Sequence, residues 1–465
     1  MRKRLLMILL ALTLAFGGCG AQTGNGGNKM STEAVNETEA KAPDVGEGEA
    51  FVPENPDAMP VDDDILEVNT DYEAVITKEW YGDLLQRAQL QLGNNKRLKK
   101  VIERARSGEK ITFATIGGSI TEGAGAAKYK ECYAYQSYDK FKKTFCEGFE
   151  DNVLFANAGV GGTPSVFGDM RYGRDIVERV DEQDSDGLPD IVIIEFAVND
   201  YQEPTVHKCY ESMVKDILSA PNEPVVILLF AVFPSKFTLQ NELRPIGKRY
   251  DLMMVSISDS CMPVIGDGKA SKWTEKEFFF DIYHPTTLGH AVMSDCIIST
   301  MKAAFEAEES ADDIDLTVEP VFGLDYCGIQ SIFRRDAEQG KKFSVGGFSE
   351  NDGGCYSNLP LGQLYADNFH HTAQSGNKPM KFTLTCKNML IAYRAVNNNT
   401  YGSIDILMDG KVVKTIQGNT GSWGQSVADV VFSEDTAKKH TFEIRMAEGD
   451  EDKKFTITCL SYTPE

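Results

Sequence analysis

Four short apolar segments constrain the fold of this chain more than any other feature of its sequence. They span 111–116, 153–156, 191–196 and 225–233, show no polar alternation, and are separated by stretches long enough to contain helices. Strands that are buried on both faces have this pattern, so the segments predict a parallel sheet covered by helices. In open sheets of this kind, ligands bind beyond the carboxyl ends of the strands. The residues that follow each segment are therefore candidates for a functional site.

Two helices are predicted ahead of the sheet, and a domain of a different class is predicted after it. Apolar residues recur at helical spacing from Trp80 to Arg106, with a break at Asn94–Asn95. A cluster of Ser, Asp and Glu at 308–315 marks a change of composition, and Asp409–Gly410 beyond it supplies a hairpin turn. The strands predicted in this second part are 381–393, 402–415, 426–432, 440–446 and 454–462. Because no helical period intervenes, they predict an antiparallel β-sandwich.

The N-terminus carries the features of an export signal. Three basic residues precede an apolar run over 5–16, which is too short to span a bilayer as a helix, and a glycine-rich segment around Cys19 follows. This arrangement resembles a bacterial lipoprotein signal, in which the cysteine is acylated and becomes the new N-terminus. The resemblance implies a signal peptide over 1–19, a lipid anchor on Cys19 and display at the outer face of a bacterial cell membrane. Ordinary secretion with cleavage nearby is the alternative.

Acidic charge is concentrated directly behind this signal. Residues 22–75 hold fourteen acidic and two basic side chains. The excess of acidic side chains there accounts for over half of the chain's net charge of −23. The same stretch is poor in aromatic and branched residues, so it cannot bury enough apolar area to offset the entropy of ordering. We therefore predict a disordered tether over 20–72. The α/β domain over 73–310 and the β-sandwich over 316–465 follow it. The acidic balance leaves no basic surface for a phosphate backbone and excludes nucleic acid as a partner.

Glycine-rich turns follow the first two strands, and an asparagine follows the third. Ser119 comes after Gly117 and Gly118, which allow a tight turn that lifts the serine hydroxyl to the edge of the sheet. Gly162 can bring a backbone N–H against a ligand oxygen, and Asn199 can donate its side-chain amide to a developing oxyanion. Each residue also has a structural explanation, as a helix cap, a loop glycine or an Asx turn. Their position at successive strand ends favours a shared site.

A fourth motif supplies a candidate base. Asp281 and His284 lie three residues apart, after the remaining strands and before a predicted helix over 291–304. In a turn, this spacing can place the carboxylate against Nδ1 of the imidazole while Nε2 faces outward, as a general base acting on a serine requires. Pro285 suits the start of the helix that follows.

Together the four motifs resemble those of the SGNH or GDSL hydrolases, named for Ser, Gly, Asn and His in four separate blocks. All four blocks occur here in the family's order and at strand ends. The resemblance implies a three-layer α/β/α fold in which Ser119 is the nucleophile, His284 the base and Asp281 its orienting partner. It also implies an oxyanion hole formed by the N–H groups of Ser119 and Gly162 and the side chain of Asn199. No metal or organic cofactor is implied.

The resemblance extends over roughly residues 110–305 and has two departures. Gly118 stands where the family usually has Asp before the nucleophile, and Ala197 stands where the third block usually has Gly. Neither is one of the four residues that name the family, so the departures do not exclude activity. The hydrogen bonds that the Asp normally makes must be replaced or absent.

The substrate is inferred from context, because the same catalytic set in this family serves lipases, thioesterases and sugar deacetylases. A tethered surface enzyme, followed by a sandwich that resembles the jelly-roll modules of carbohydrate esterases, suggests a serine esterase. Its predicted partner is an acylated polysaccharide or oligosaccharide, from which it removes O-acyl groups and above all O-acetyl groups. Two alternatives stay open: an O-acyltransferase acting on a cell-envelope glycan, and a non-catalytic carbohydrate-binding surface lipoprotein.

Histidines and cysteines outside the four motifs are interpreted as structural. His290 is predicted to pack or cap near the catalytic histidine, and His370 with His371 is predicted to be a surface pair without a third ligand at zinc-like spacing. The cysteines lack paired CxxC spacing, so buried free thiols are expected and no zinc site is indicated.

Four further residues receive a structural interpretation, and three of them a functional one as well. Arg171 and Arg174 can reach the cleft but are expected to be solvated helix-face charges. Asp200 is interpreted as a structural hydrogen-bonding residue. Trp423 can stack on a sugar ring, although a loop tryptophan is at least as often a residue at the rim of the core.

Overall fold

Two sheets, one mainly parallel and one antiparallel, organise the protein. The computed structural model describes residues 72–181, 188–339, 343–356, 365 and 367–464. The predicted signal peptide, Cys19 and all but the last residue of the predicted tether lie outside these residues and stay predictions. Within the described residues, no helix is both long enough and apolar enough to cross a membrane.

The first sheet has six strands in the order β1-β6-β5-β4-β2-β3. Strands β2 to β6 are parallel, and β1 pairs with β6 in the antiparallel direction at one edge. The strands are β1 (Gln89–Gln91), β2 (Ile111–Gly117), β3 (Val153–Gly159), β4 (Ile191–Glu195), β5 (Val225–Phe230) and β6 (Met253–Ser256). The parallel sheet predicted from the four apolar segments is therefore confirmed. The short edge strand β1 was not predicted, because its two glutamines interrupt any apolar run.

Helices cover both faces of this sheet and complete the three layers. They are α1 (Tyr72–Ile76), α2 (Glu79–Ala88), α3 (Lys96–Arg106), α4 (Ser119–Glu122), α5 (Tyr133–Phe145), α6 (Ser165–Tyr172), α7 (Arg179–Asp181), α8 (Lys208–Leu218), α9 (Gln240–Arg249), α10 (Ile257–Cys261), α11 (Glu275–Phe278) and α12 (Thr287–Glu306), with a π-helical turn (Gly173–Glu178) between α6 and α7. Side chains of α2, α3, α5 and α12 form a core on one face of the sheet. Those of α6, α8 and α9 form a core on the other.

The second sheet is antiparallel and is built from the C-terminal part of the chain, as predicted. Its order is β11-β10-β12-β9-β13-β7, with β8 paired to β13. The strands are β7 (Gln330–Ile332), β8 (Phe369–His371), β9 (Met380–Val396), β10 (Ser403–Met408), β11 (Lys411–Gln417), β12 (Trp423–Met446) and β13 (Phe455–Thr463), and one helix, α13 (Arg334–Gln339), follows β7. This sheet has an apolar core of its own, with Phe382, Ile404 and Phe442 among its buried members.

The segment between the two sheets is held along the first domain by polar contacts. Arg97 of α3 forms an ion pair with Asp313 at 2.9 Å. Farther along, the buried carboxylate of Glu211 accepts hydrogen bonds from the N–H groups of Val321 and Phe322. The apolar core around α6 and α8 also includes side chains of β9 and β13, so the two domains share buried surface.

Candidate active site

Ser119 occupies the first position of α4, directly after β2 and Gly118. The Gly118 carbonyl accepts from the Glu122 N–H at 3.0 Å, so the chain turns into a helix within one residue of the strand. There is no room for a side chain at Gly117, since a Cβ there would lie 2.1 Å from the Thr121 hydroxyl and 2.5 Å from the Glu195 carbonyl oxygen. The glycine therefore lets the turn pack tightly and places the serine at the carboxyl end of the sheet.

Ser119, His284 and Asp281 form a hydrogen-bonded row. Nε2 of His284 lies 2.9 Å from the Ser119 hydroxyl, and Nδ1 lies 2.8 Å from Oδ2 of Asp281. The other carboxylate oxygen of Asp281 accepts the N–H groups of Tyr283 and His284, each at 2.7 Å. Burial acts to raise the pKa of Asp281, but the hydrogen bonds from the imidazole and the backbone outweigh it and lower the pKa. An ionised Asp281 in this position fixes the orientation of the imidazole and stabilises its protonated form.

The residues predicted as oxyanion donors lie at the carboxyl ends of β2, β3 and β4. Asn199 follows β4, and its side-chain amide lies against the Cα of Gly118, where an added Cβ would be 2.4 to 2.7 Å from its terminal atoms. Gly162 adopts a φ of +69° in the loop after β3, a conformation that favours glycine. Among the described residues, the N–H groups of Ser119 and Gly162 have no hydrogen-bond acceptor. Both are therefore free to donate to a bound oxygen.

The departure at Gly118 has a steric explanation in the structure. The amide of Asn199 fills the space that the side chain of an aspartate would need. The φ of Gly118 is −88°, which is not the left-handed conformation that favours glycine, so the requirement is for space. Ala197, the second departure, is buried, and its carbonyl accepts from the Leu239 N–H at 2.7 Å.

Arg171 and Arg174 are buried, which corrects the prediction of solvated charges. Arg171 is fully buried and donates to the carbonyl oxygens of Gly117 at 3.0 Å and Ala158 at 2.6 Å, at the ends of β2 and β3. Both arginines pair with the buried carboxylate of Asp175. Burial opposes ionisation of Asp175, but the two guanidinium groups lower its pKa. The prediction failed because the partners come from strand ends and from a π-helical turn that helical spacing does not reveal.

This buried network supports the strand ends that carry the site, so we expect Arg171→Met to destabilise the protein. Removing the guanidinium breaks a buried ion pair and takes one hydrogen-bond donor away from each of two carbonyl oxygens, so the free energy of unfolding should fall by about 3 to 5 kcal/mol. Urea unfolding measures the change. Lys143→Met is the matched control, because Lys143 forms an exposed pair with Asp139 that should contribute less than about 0.5 kcal/mol. Equal losses for the two variants would contradict the prediction.

The remaining polar predictions near the nucleophile agree with the structure. His290 is buried, accepts the Tyr133 N–H on Nδ1 at 3.1 Å and lies 3.0 Å from the Ala124 carbonyl oxygen through Nε2. Burial lowers its pKa to about 4, so it is neutral and structural, as predicted. Asp200 accepts the Ser165 N–H at 2.6 Å, which confirms its structural role.

His370 and His371 are buried rather than a surface pair, and that prediction is wrong. His370 bonds to the Thr456 hydroxyl at 2.9 Å, and His371 bonds to the Lys453 carbonyl oxygen at 2.8 Å. Both lie on β8, whose pairing with β13 covers them. The cysteines at described positions are free thiols, all but Cys327 buried, as expected.

Trp423 brings the C-terminal domain to the candidate active site. Its indole lies against Gly162, where an added Cβ would be 2.7 Å from the indole carbon Cζ2. The side chain keeps 37% of its surface exposed. It therefore borders the loop of a candidate oxyanion donor while still presenting part of its ring to solvent.

Comparison with known proteins defines the class of the first domain. Residues 115–292 match the model of the GDSL-like Lipase/Acylhydrolase family. This segment is a GDSL-like acylhydrolase domain, as the sequence motifs predict, and the protein is a carboxylic ester hydrolase. No curated protein matches the chain.

Two solved structures share the fold of both domains. One is a two-domain esterase (CEX) active on acetylated mannans, which is 24% identical, covers 82% of this chain and 98% of its own, and has a TM-score of 0.68. The other is the same kind of esterase co-crystallised with mannopentaose, with the same identity and coverage and a TM-score of 0.67. The likeness shows that an α/β hydrolase domain and an antiparallel domain combine in this way in another protein.

Proposed function

We propose that the protein is a serine esterase that removes O-acetyl groups from a polysaccharide, with Ser119 as nucleophile, His284 as base and Asp281 as the orienting acid. The observation that carries the proposal is the hydrogen-bonded row of these side chains at the end of the parallel sheet. A serine hydroxyl, an imidazole and a buried carboxylate in this order are the requirements of acyl transfer through a covalent intermediate.

The proposed reaction assigns a group to each step. His284 takes the proton of Ser119 as the hydroxyl attacks the ester carbonyl, and the N–H groups of Ser119 and Gly162 with the Asn199 amide hold the resulting oxyanion. The imidazolium then protonates the leaving sugar oxygen. Water enters, gives its proton to His284, and attacks the acetyl-serine, so that acetate leaves and the hydroxyl is restored. Removing one oxyanion donor typically costs about 2.7 to 4 kcal/mol of transition-state stabilisation.

The choice of a glycan substrate rests on the second domain. The related two-domain fold belongs to an esterase active on acetylated mannans, and the position of Trp423 beside the site offers an aromatic face to a sugar ring. Acetate release from acetylated mannan, xylan, pectin and peptidoglycan tests the proposal. We expect release from at least one of these polymers. Release from none, together with ready cleavage of long-chain esters, would contradict it.

Trp423→Ala is expected to weaken activity on a glycan without affecting a small ester. Loss of one stacking contact worth about 1 kcal/mol should raise the KM for an acetylated oligosaccharide roughly fivefold. The kcat/KM for a small aryl acetate should change less, because that substrate has no sugar ring to stack on the indole. Steady-state kinetics on both substrates measure the difference.

Val412→Ala is the control for this variant, since Val412 is half exposed on β11. It should leave both activities unchanged. An equal loss by Trp423→Ala on the glycan and on the small ester would indicate that the indole supports the Gly162 loop and does not contact substrate.

A further inference from the structure

Glu122 is a buried carboxyl group that the proposed reaction does not use. It is the last residue of α4, three residues after Ser119, and its side chain is turned away from solvent. Its Oε2 accepts the N–H of Gly161 at 2.7 Å. The carboxyl therefore connects the helical turn that carries the nucleophile to the loop that carries the candidate donor Gly162.

The packing around this contact leaves little freedom. A Cβ at Gly159 would lie 2.0 Å from the Glu122 nitrogen, and a Cβ at Gly161 would lie 3.0 Å from Oε2 of Glu122 and 3.7 Å from the Cβ of Ser119. Glycines at both positions let the end of β3 and its loop come into direct contact with α4. The hydrogen bond from Gly161 is thus held between two closely packed backbone segments.

We propose that Glu122 is a positioning residue of the esterase, whose carboxyl oxygen fixes the Gly161–Gly162 peptide relative to Ser119 and whose negative charge impairs catalysis. This inference rests on the proposed function. Two physical effects carry it. The hydrogen bond orients the loop before the oxyanion forms, and preorganised donors contribute most in a site shielded from water. A negative charge beside the same loop repels the developing oxyanion, because charge interactions are weakly screened in a buried site.

The charged and titratable groups around Glu122 come from several elements. Among the described residues, Arg171 of α6 is the cation that acts on it. Glu195 of β4 faces the neighbouring Thr121 at 3.3 Å, and Tyr133 of α5 bonds to the same threonine at 2.7 Å. Burial raises the pKa of Glu122 to about 8, although the Gly161 N–H and Arg171 act to lower it. The side chain is consequently neutral below that pH and negatively charged above it.

The pH dependence of kcat tests this role. In the wild type, kcat should decline as the pH rises through about 8, by up to about tenfold per unit once the carboxyl ionises. Glu122→Gln keeps an oxygen that can accept from Gly161 and carries no charge at any pH. Its kcat should therefore show no decline between about pH 7 and pH 9.5. The probe is acetate release from a small aryl acetate, corrected for spontaneous hydrolysis.

Glu122→Ala separates the hydrogen bond from the charge. Without an acceptor the Gly161–Gly162 peptide is no longer fixed, and kcat at pH 7 should fall about 10- to 100-fold with little change in KM. Glutamine at the same position should restore most of this loss. If Glu122 had only a structural role, the alanine variant would have a lower melting temperature, but it would not show a fall in kcat with an unchanged KM.

Glu195→Gln is the matched control, because burial raises the pKa of Glu195 to about 8 as well. This variant should keep the alkaline decline. Persistence of the decline in Glu122→Gln, or its loss in Glu195→Gln, would overturn the inference. Failure of the proposed function would give a different result from failure of this inference. Hydrolysis that does not depend on Ser119 would contradict the proposed function, whatever pH profile the Glu122 variants have.

Discussion

Ser119→Ala is expected to lower kcat by about a million-fold, leaving only the rate enhancement that substrate binding and the oxyanion donors supply. The variant loses the oxygen that attacks the ester, while His284 keeps its hydrogen bond to Asp281. In triads of this type, removing the nucleophile costs about as much as removing the whole set. Acetate release from the best acetylated polymer, compared between wild type and variant at equal concentration, measures the effect.

The fold should be unaffected by this change. Ser119 makes one side-chain hydrogen bond among the described residues, to His284, so the melting temperature should stay within a few degrees. Ser107→Ala, at an exposed helix end, is the matched control and should retain full activity. More than about 1% of wild-type activity in Ser119→Ala would exclude Ser119 as the nucleophile.

Gly118→Asp introduces the residue that SGNH hydrolases usually have before the nucleophile. We expect this substitution to lower the activity of the protein. A Cβ at Gly118 would lie within 2.4 to 2.7 Å of the Asn199 side chain. The atoms that must move belong to the end of a flexible side chain, so the fold should tolerate the change while Asn199 leaves its place beside Ser119. Loss of one oxyanion donor predicts a fall in kcat of about 10² to 10³.

Steady-state kinetics with thermal unfolding distinguish this outcome from general destabilisation. Gly82→Asp is the matched control, because Gly82 is exposed on α2 and an added Cβ would meet no atom within 4 Å beyond the backbone of its own helix. It should leave kcat unchanged. A Gly118→Asp variant as active as the wild type would show that Asn199 is not held where catalysis requires it.

Much of the first domain was predictable because its signals are local. Parallel strands buried on both faces require uninterrupted apolar runs, and these runs identify β2 to β5 from the sequence alone. The ends of parallel strands meet at one edge of a sheet, so the sequence predicts that Ser119, Asn199 and the Gly162 loop lie together. The antiparallel character of the second domain followed from alternation and hairpin turns.

Other features depend on partners that are distant in sequence. Arg171 is buried because two strand ends and a π-helical turn converge on it, and no spacing rule connects those elements. His370 and His371 are covered by a strand more than eighty residues away. The sequence predicts that Trp423 can contact a sugar. Its position beside Gly162 could not be predicted, because it depends on how the two domains dock.

The docking of the domains determines how far this protein can be regarded as modular. Tyr365 of the C-terminal part donates to Asp175 at 2.9 Å, the carboxylate on which Arg171 and Arg174 depend, and Arg174 lies 4.0 Å from the ring of Phe333. A chain cut between the domains would expose this charged network and the apolar side of α6 to water. The boundary at which composition changes is therefore not a boundary of stability, and we expect the hydrolase half expressed alone to unfold more readily than the whole chain.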